Sequence, residues 1–176
     1  MPSKVLRVKA RLGGPSALAE FEGRTFECVV GKNGIISAAD KREGDGKTPL
    51  GTFALVGGYY RPDRNGALGV CTIPLDEGMG WCDASGDVLY NRECPAGYEA
   101  SHELLWRGDA AYDYIGVMDY NLLGEVTVDG KGRGSAIFLH VWREGAVQTE
   151  GCVALRKEDL EAVLAAGCNG VEVVAA

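Results

Sequence analysis

His140 and Cys152 are the two residues of this sequence whose types and separation point to covalent chemistry. His140 ends the apolar run Ala136-Ile137-Phe138-Leu139, and Cys152 follows after eleven intervening residues. A strand edge holds an imidazole rigidly, and a loop of this length can fold back to bring a thiol within hydrogen-bond reach. A thiol at its reference pKa of ~8.5 is mostly protonated at neutral pH, so a nucleophilic Cys152 needs a base or a cation beside it. His140 is the natural base. Gly151 keeps a side chain out of the approach path, and the amides around Gly151 and Cys152 are candidate donors to an oxyanion. Cys152 also lies shortly before a predicted helix, whose positive end would favour a thiolate. Spacing alone fits a satisfied core histidine and a buried thiol just as well.

The elements that must position this pair read mainly as strands. Leu6, Val8 and Ala10 alternate with Arg7, Lys9 and Arg11 as in a half-buried strand. Thr25 to Val30 and Gly51 to Leu55 are further strands, separated by turns at Gly31-Lys32-Asn33-Gly34 and Gly44-Asp45-Gly46. Tyr112 to Tyr120 and Ala136 to Trp142 read as buried strands, and Val171 to Val174 as a closing one. Two helices are expected. One spans about Tyr98 to Trp106, and the other starts near Arg156, places Leu160, Val163 and Leu164 on one face and stops at Gly167. With 26 glycines among short β-branched and aromatic runs, the fold class is mainly β, with one or two short helices. No repeat or linker interrupts residues 1–176, which predicts a single domain.

A net charge of −7 and a pI near 4.9 argue against a surface that binds by neutralising phosphates, so no nucleic-acid partner is expected. No transmembrane segment of ~20 apolar residues is present, and Met1 to Lys9 lacks the apolar core of a signal peptide. The sequence as it stands predicts a cytoplasmic protein, or a periplasmic one if the true N-terminus lies upstream. Cys28, Cys71, Cys82, Cys94, Cys152 and Cys168 include no Cys-x-x-Cys pair, so no metal or other cofactor is expected, and most of these thiols read as small buried hydrophobes.

Around the pair, His140 and Thr149-Glu150-Gly151-Cys152-Val153 resemble the histidine and Ser/Thr-x-Gly-Cys box of the L,D-transpeptidase catalytic domain family, also called YkuD-like. Glu43 to Phe53 contains Lys47-Thr48-Pro49-Leu50-Gly51-Thr52-Phe53, similar to that family's Lys-Thr-Pro-x-Gly-x-Phe element. The likeness continues through Gly80-Trp81-Cys82-Asp83, Tyr90-Asn91-Arg92, Ser101-His102-Glu103 and Gly132 to His140, covering roughly residues 25 to 165. The chain departs from the commoner pattern at Glu150, where many members have histidine, and at Ala154, where many have arginine or asparagine.

The resemblance implies a YkuD-like β-sandwich or barrel whose Cys152 attacks a peptidoglycan stem peptide, forms a thioester and passes the acyl group to an amine. His140 would move the protons. Peptidoglycan stem peptides are the implied partners and carbapenem-type beta-lactams the implied inhibitors. Gly151, Thr149 and Glu150 would shape the oxyanion region, with Glu150 a candidate to orient His140. Ser135, Arg133, Trp81, Asp83 and Lys47 are candidate substrate contacts, although Trp81 fits core packing equally well. Ser135 stands at an odd offset from His140, which in regular pleating turns it to the opposite face unless a bulge intervenes. Two further readings stay open: a carboxypeptidase or amidase that releases the same thioester to water, and a non-catalytic wall-binding module.

Overall fold

Leu6, Val8 and Ala10 are fully buried while Arg7 faces solvent, so the first strand lays one face on a core, as its alternation requires. The computed structural model describes residues 1–176. In chain order the elements are β1 (Val5–Ala10), β2 (Ser16–Phe21), β3 (Arg24–Val29), β4 (Ile35–Ile36), β5 (Thr48–Pro49), β6 (Gly51–Tyr60), β7 (Cys71–Pro74), β8 (Met79–Cys82), β9 (Glu93–Pro95), β10 (His102–Leu104), β11 (Tyr114–Met118), β12 (Phe138–Val141), β13 (Val153–Leu155), α1 (Lys157–Ala165) and β14 (Gly170–Ala175). Nine strands form one sheet in the order β11-β12-β13-β3-β2-β1-β14-β6-β7, and β11 also pairs with β6, which curls the sheet into a barrel-like body. β10, β8 and β9 make a smaller sheet beside it, and β4 pairs with β5. The mainly β expectation therefore holds.

β12 is the strand on which the fold turns, because both of its faces are covered. Leu139 and Val141 enter the main core with Val8, Val153, Leu155 and the α1 residues Leu160, Val163 and Leu164. Phe138 enters a second apolar cluster with Trp81, Tyr112, Ile115, Val117 and Cys152. A strand buried on both faces reads as an unbroken apolar run, which is why residues 136–139 show no alternation. α1 follows as expected; its acidic first turn, Glu158 and Asp159, complements the helix dipole, and Gly167 at φ +85° ends it. No helix is long and apolar enough to cross a membrane.

The helix expected over Tyr98 to Trp106 is not formed. That segment is a turn leading into β10, which pairs with β8 in the register His102↔Cys82, Glu103↔Trp81 and Leu104↔Gly80. His102 is bracketed by carbonyls, with Nδ1 at 2.8 Å from Ala100 O and Nε2 at 2.8 Å from Ala96 O. These contacts fold the segment back on itself, and the open edge of β8 outcompetes the local helical preference. His102 is a structural clamp there.

Candidate active site

The parallel pairing of β12 with β13 aligns Leu139 with Val153 and His140 with Ala154, which places Cys152, one residue before β13, alongside Phe138. The Cys152 thiol donates to Ala136 O at 3.0 Å, and Phe138 N–H donates to the sulfur at 3.4 Å. Cys152 and His140 both line one cavity of about 490 Å³. His140 Nδ1 lies 2.8 Å from the Val141 carbonyl, which fixes the proton on Nδ1 and leaves Nε2 as the basic nitrogen. The Tyr112 ring meets the imidazole edge-on, 5.4 Å between centroids at 83°. Thiol and imidazole share the cavity without a hydrogen bond between them.

Burial pushes His140 down to about 4, against the upward pull of the Val141 and Ala111 carbonyls. Burial likewise pushes the Cys152 thiol up to about 12; the Phe138 amide opposes this, as do Lys41 and Arg107, while Glu103 adds to it. The resting pair is therefore a neutral thiol and a neutral imidazole. The helix dipole gives no help, because β13 separates Cys152 from α1 and a dipole's effect fades within its first turn.

The loop before Cys152 is held by its own polar groups. Thr149 Oγ1 donates to Cys152 O at 2.7 Å and accepts from Gly151 N–H at 3.1 Å, so Thr149 shapes the loop. The Gly151 amide expected to face an oxyanion is thus already taken. Thr48, fully buried, donates to Gly151 O at 2.8 Å and accepts from Gly31 N–H at 2.9 Å, so the Lys47-Thr48-Pro49 element braces the nucleophile from behind. Gly151 has φ +148°, and a Cβ there would lie 3.0 Å from Lys47 O. Gly151→Ala is expected to cost ~1–3 kcal/mol in backbone strain, seen as a lower denaturation midpoint, and to displace Cys152 enough to slow acylation.

Glu150 does not orient His140. Its carboxylate is exposed on the cavity rim and paired with Lys32 Nζ at 2.7 Å, while the Val141 carbonyl orients the imidazole. Ser135 and Asp83 line the cavity with the Cys–His pair. Ser135 reaches it because Ala136, at φ +51°, breaks the pleat before β12 begins, supplying the irregularity that parity demanded. Arg133 lies off the cavity and approaches Glu125 at 3.7 Å; Lys47 contributes only backbone near Gly151. Trp81 is core: its ring packs edge-on against Phe138 at 5.0 Å, and its indole N–H donates to Asn91 Oδ1 at 3.0 Å.

Sequence reasoning missed Lys41, Glu103, Arg107 and Tyr112, all of which line the cavity. Lys41 is 2% exposed and paired with Asp45 at 2.7 Å; Arg107 is paired with Asp109 at 2.7 Å. Tyr112 donates its hydroxyl to Glu103, with the two carboxylate oxygens at 3.1 and 3.0 Å. Ser101-His102-Glu103 was a signal for one of them, but the expected helix hid which way Glu103 faces.

A family model for the L,D-transpeptidase catalytic domain, YkuD, matches residues 20–167. The chain belongs to that family. No curated protein matches the chain significantly. In this L,D-transpeptidase domain the two titratable groups beside the nucleophile oppose each other in their effect on stability. His140, depressed to about 4 against a reference of ~6.5, contributes stability that is fully present above ~6.5 and is lost as pH falls towards 4, on the order of 3 kcal/mol in all. Glu103, raised by burial to about 7, contributes stability that is present below its ordinary carboxylate range and is lost as pH rises through 7. Between about 4.5 and 6.5 the two slopes offset each other. Glu103→Gln is expected to unmask a steeper loss of stability on acidification than the parent shows, measured by denaturant titrations across that window.

Proposed function

We propose that the protein is a cysteine L,D-transpeptidase acting on peptidoglycan stem peptides. The observation that carries this reading is that His140 on β12 and Cys152 at the entry to the parallel strand β13 line one cavity whose walls bear charges of both signs. Such walls suit a stem peptide that carries amine and carboxylate groups. The diamino-acid carbonyl beside Cys152 is attacked as His140 Nε2 takes the thiol proton. Transfer of that proton in step with attack avoids an isolated thiolate in a site that resists ionisation. The tetrahedral intermediate collapses, the C–N bond breaks, and His140 returns the proton to the departing D-amino acid. The thioester on Cys152 then accepts an amine from a second stem.

Incubating the protein with a stem tetrapeptide and an amine acceptor, and reading the products and the intact protein by mass, tests this directly. An acyl mass on Cys152 and an amide-linked product are expected, as is a carbapenem adduct on the same sulfur. Release of a shortened, hydrolysed stem alone would establish a carboxypeptidase, and absence of any adduct would leave a binding module. Crosslinking takes place outside the cytoplasmic membrane, so this activity and a cytoplasmic residence exclude one another, and fractionating cells decides between them.

A further inference from the structure

An acceptor side-chain amine, with a reference pKa of ~10.4, arrives as an ammonium and has no lone pair to attack with until it loses a proton. Forming an amide from that ammonium sheds two protons, and a neutral His140 accepts only one of them, the one it passes to the leaving sulfur. Glu103 stands on the same wall: β10 places it opposite Trp81, its carboxylate accepts from Tyr112, and the Tyr112 ring abuts the imidazole. One hydroxyl proton satisfies a single lone pair of that carboxylate and leaves the rest open to the cavity.

The surrounding charges show what is missing. Tyr112, Arg107, Asp83, Glu43 and Cys152 are the titratable groups that act on Glu103 or are acted on by it. Arg107 is engaged by Asp109 and Lys41 by Asp45, so Glu103 forms no ion pair of its own. Asp83 Oδ1 is buried without a hydrogen-bond partner and Asp83 lines the same cavity. A partly buried carboxylate without a cation, beside a second acid with an unsatisfied oxygen, is a site for a hydrogen-bond-donating cation.

We propose that Glu103 is the second base of the site, binding the acceptor's ammonium group and taking one proton from it so that the free amine can attack the Cys152 thioester. This rests on the transpeptidase reading above. In the step, R–NH₃⁺ and the Glu103 carboxylate become R–NH₂ and a carboxylic acid. The amine lone pair attacks the thioester carbonyl, the C–S bond breaks, and one of the two protons left on the nitrogen passes through His140 to the leaving sulfur while the other stays on the new amide. Glu103 then gives its proton to water. Burial raises this acid to about 7, close to a neutral working pH, where a base is most effective.

Glu103→Gln, which keeps an acceptor for Tyr112, separates the two half-reactions. Intact-mass kinetics with a stem tetrapeptide should show acylation of Cys152 no slower than the parent's, because removing the Glu103 charge eases ionisation of the thiol. Transfer to an acceptor bearing an alkyl ammonium should fall roughly 10²-fold near pH 7 and recover as pH approaches the acceptor's own pKa. Hydroxylamine, mostly unprotonated at neutral pH, should be transferred by variant and parent alike. Tyr112→Phe keeps the ring against His140 but removes a hydrogen bond to the carboxylate, and should move the pH profile of transfer to higher pH. Equal losses in acylation and transfer, unchanged transfer, or failure of hydroxylamine to restore it would each overturn the assignment. A parental protein that never acylates would remove the transpeptidase reading itself, whereas equal transfer by parent and Glu103→Gln would remove only the second base.

Discussion

Cys152→Ala will form no acyl-enzyme with stem peptide or carbapenem and will keep its fold. The sulfur donates to Ala136 O and accepts a long hydrogen bond from Phe138 N–H, and alanine removes both together with only a small volume, so the unfolding free energy should change by ~1–2 kcal/mol. His140→Gln retains a polar side chain of similar reach but lacks a base, and acylation should fall ~10²–10⁴-fold. The parental pH profile carries the same signature. The imidazole accepts a proton only when neutral, so acylation should rise with pH through about 4 and stay level across the range where an ordinary histidine would titrate. An inflection near 6.5 in single-turnover acylation that persists in Glu103→Gln, and so does not come from the Glu103 carboxyl near 7, would show that burial does not control this histidine.

Asn91→Ala should be among the most destabilising single substitutions in the chain, at about 3–5 kcal/mol. Asn91 is 2% exposed and every hydrogen-bonding position of its amide is used. Oδ1 accepts from Trp81 Nε1 at 3.0 Å and from Ala136 N at 2.9 Å, while Nδ2 donates to Tyr120 O at 3.1 Å and Asn121 O at 2.8 Å. Alanine would leave two buried and two partly buried groups without this partner and would hold φ +57° less readily than asparagine does. Because Ala136 O in turn receives the Cys152 proton, the loss reaches the sulfur. Urea denaturation should show a lower midpoint with an unchanged slope, and the molecules still folded should acylate more slowly. A loss below 1 kcal/mol would mean that water replaces the amide.

How far the sequence carried the structure depended on whether each signal was local. β1, β3, β12, β14 and α1 announced themselves through a period or a continuous run, because burial on one face or two faces writes directly into residue order. β7 to β10 are three or four residues long, too short for a period of two to stand out, and β2 is rich in alanine, which has little strand preference. The spacing of His140 and Cys152 pointed to their proximity. The wall around them was not legible: Lys41, Glu103 and Tyr112 line one cavity from segments far apart in sequence, two of them outside any strand, and nothing adjacent in the chain marks them. Glu150 misled for the opposite reason, since adjacency to the nucleophile suggested a role that the rim position and Lys32 exclude. Two glycines had mixed fates. Gly151 was legible as a small residue before a nucleophile, while Gly132, where a Cβ would collide with the Tyr90 and Ser85 hydroxyls, owes its identity to packing between segments far apart in sequence.

The proton shared between Cys152 and the Ala136 carbonyl has a consequence for which chemicals can find this sulfur. Burial that pushes this thiol up to about 12 leaves little thiolate at neutral pH, so peroxides and simple alkylating reagents, which react with the thiolate, should attack it slowly. Only a compound that fills the cavity and presents an electrophilic carbonyl to the sulfur benefits from His140. Selectivity against chance oxidants and selectivity for a shaped acyl donor thus arise from the same buried S–H bond.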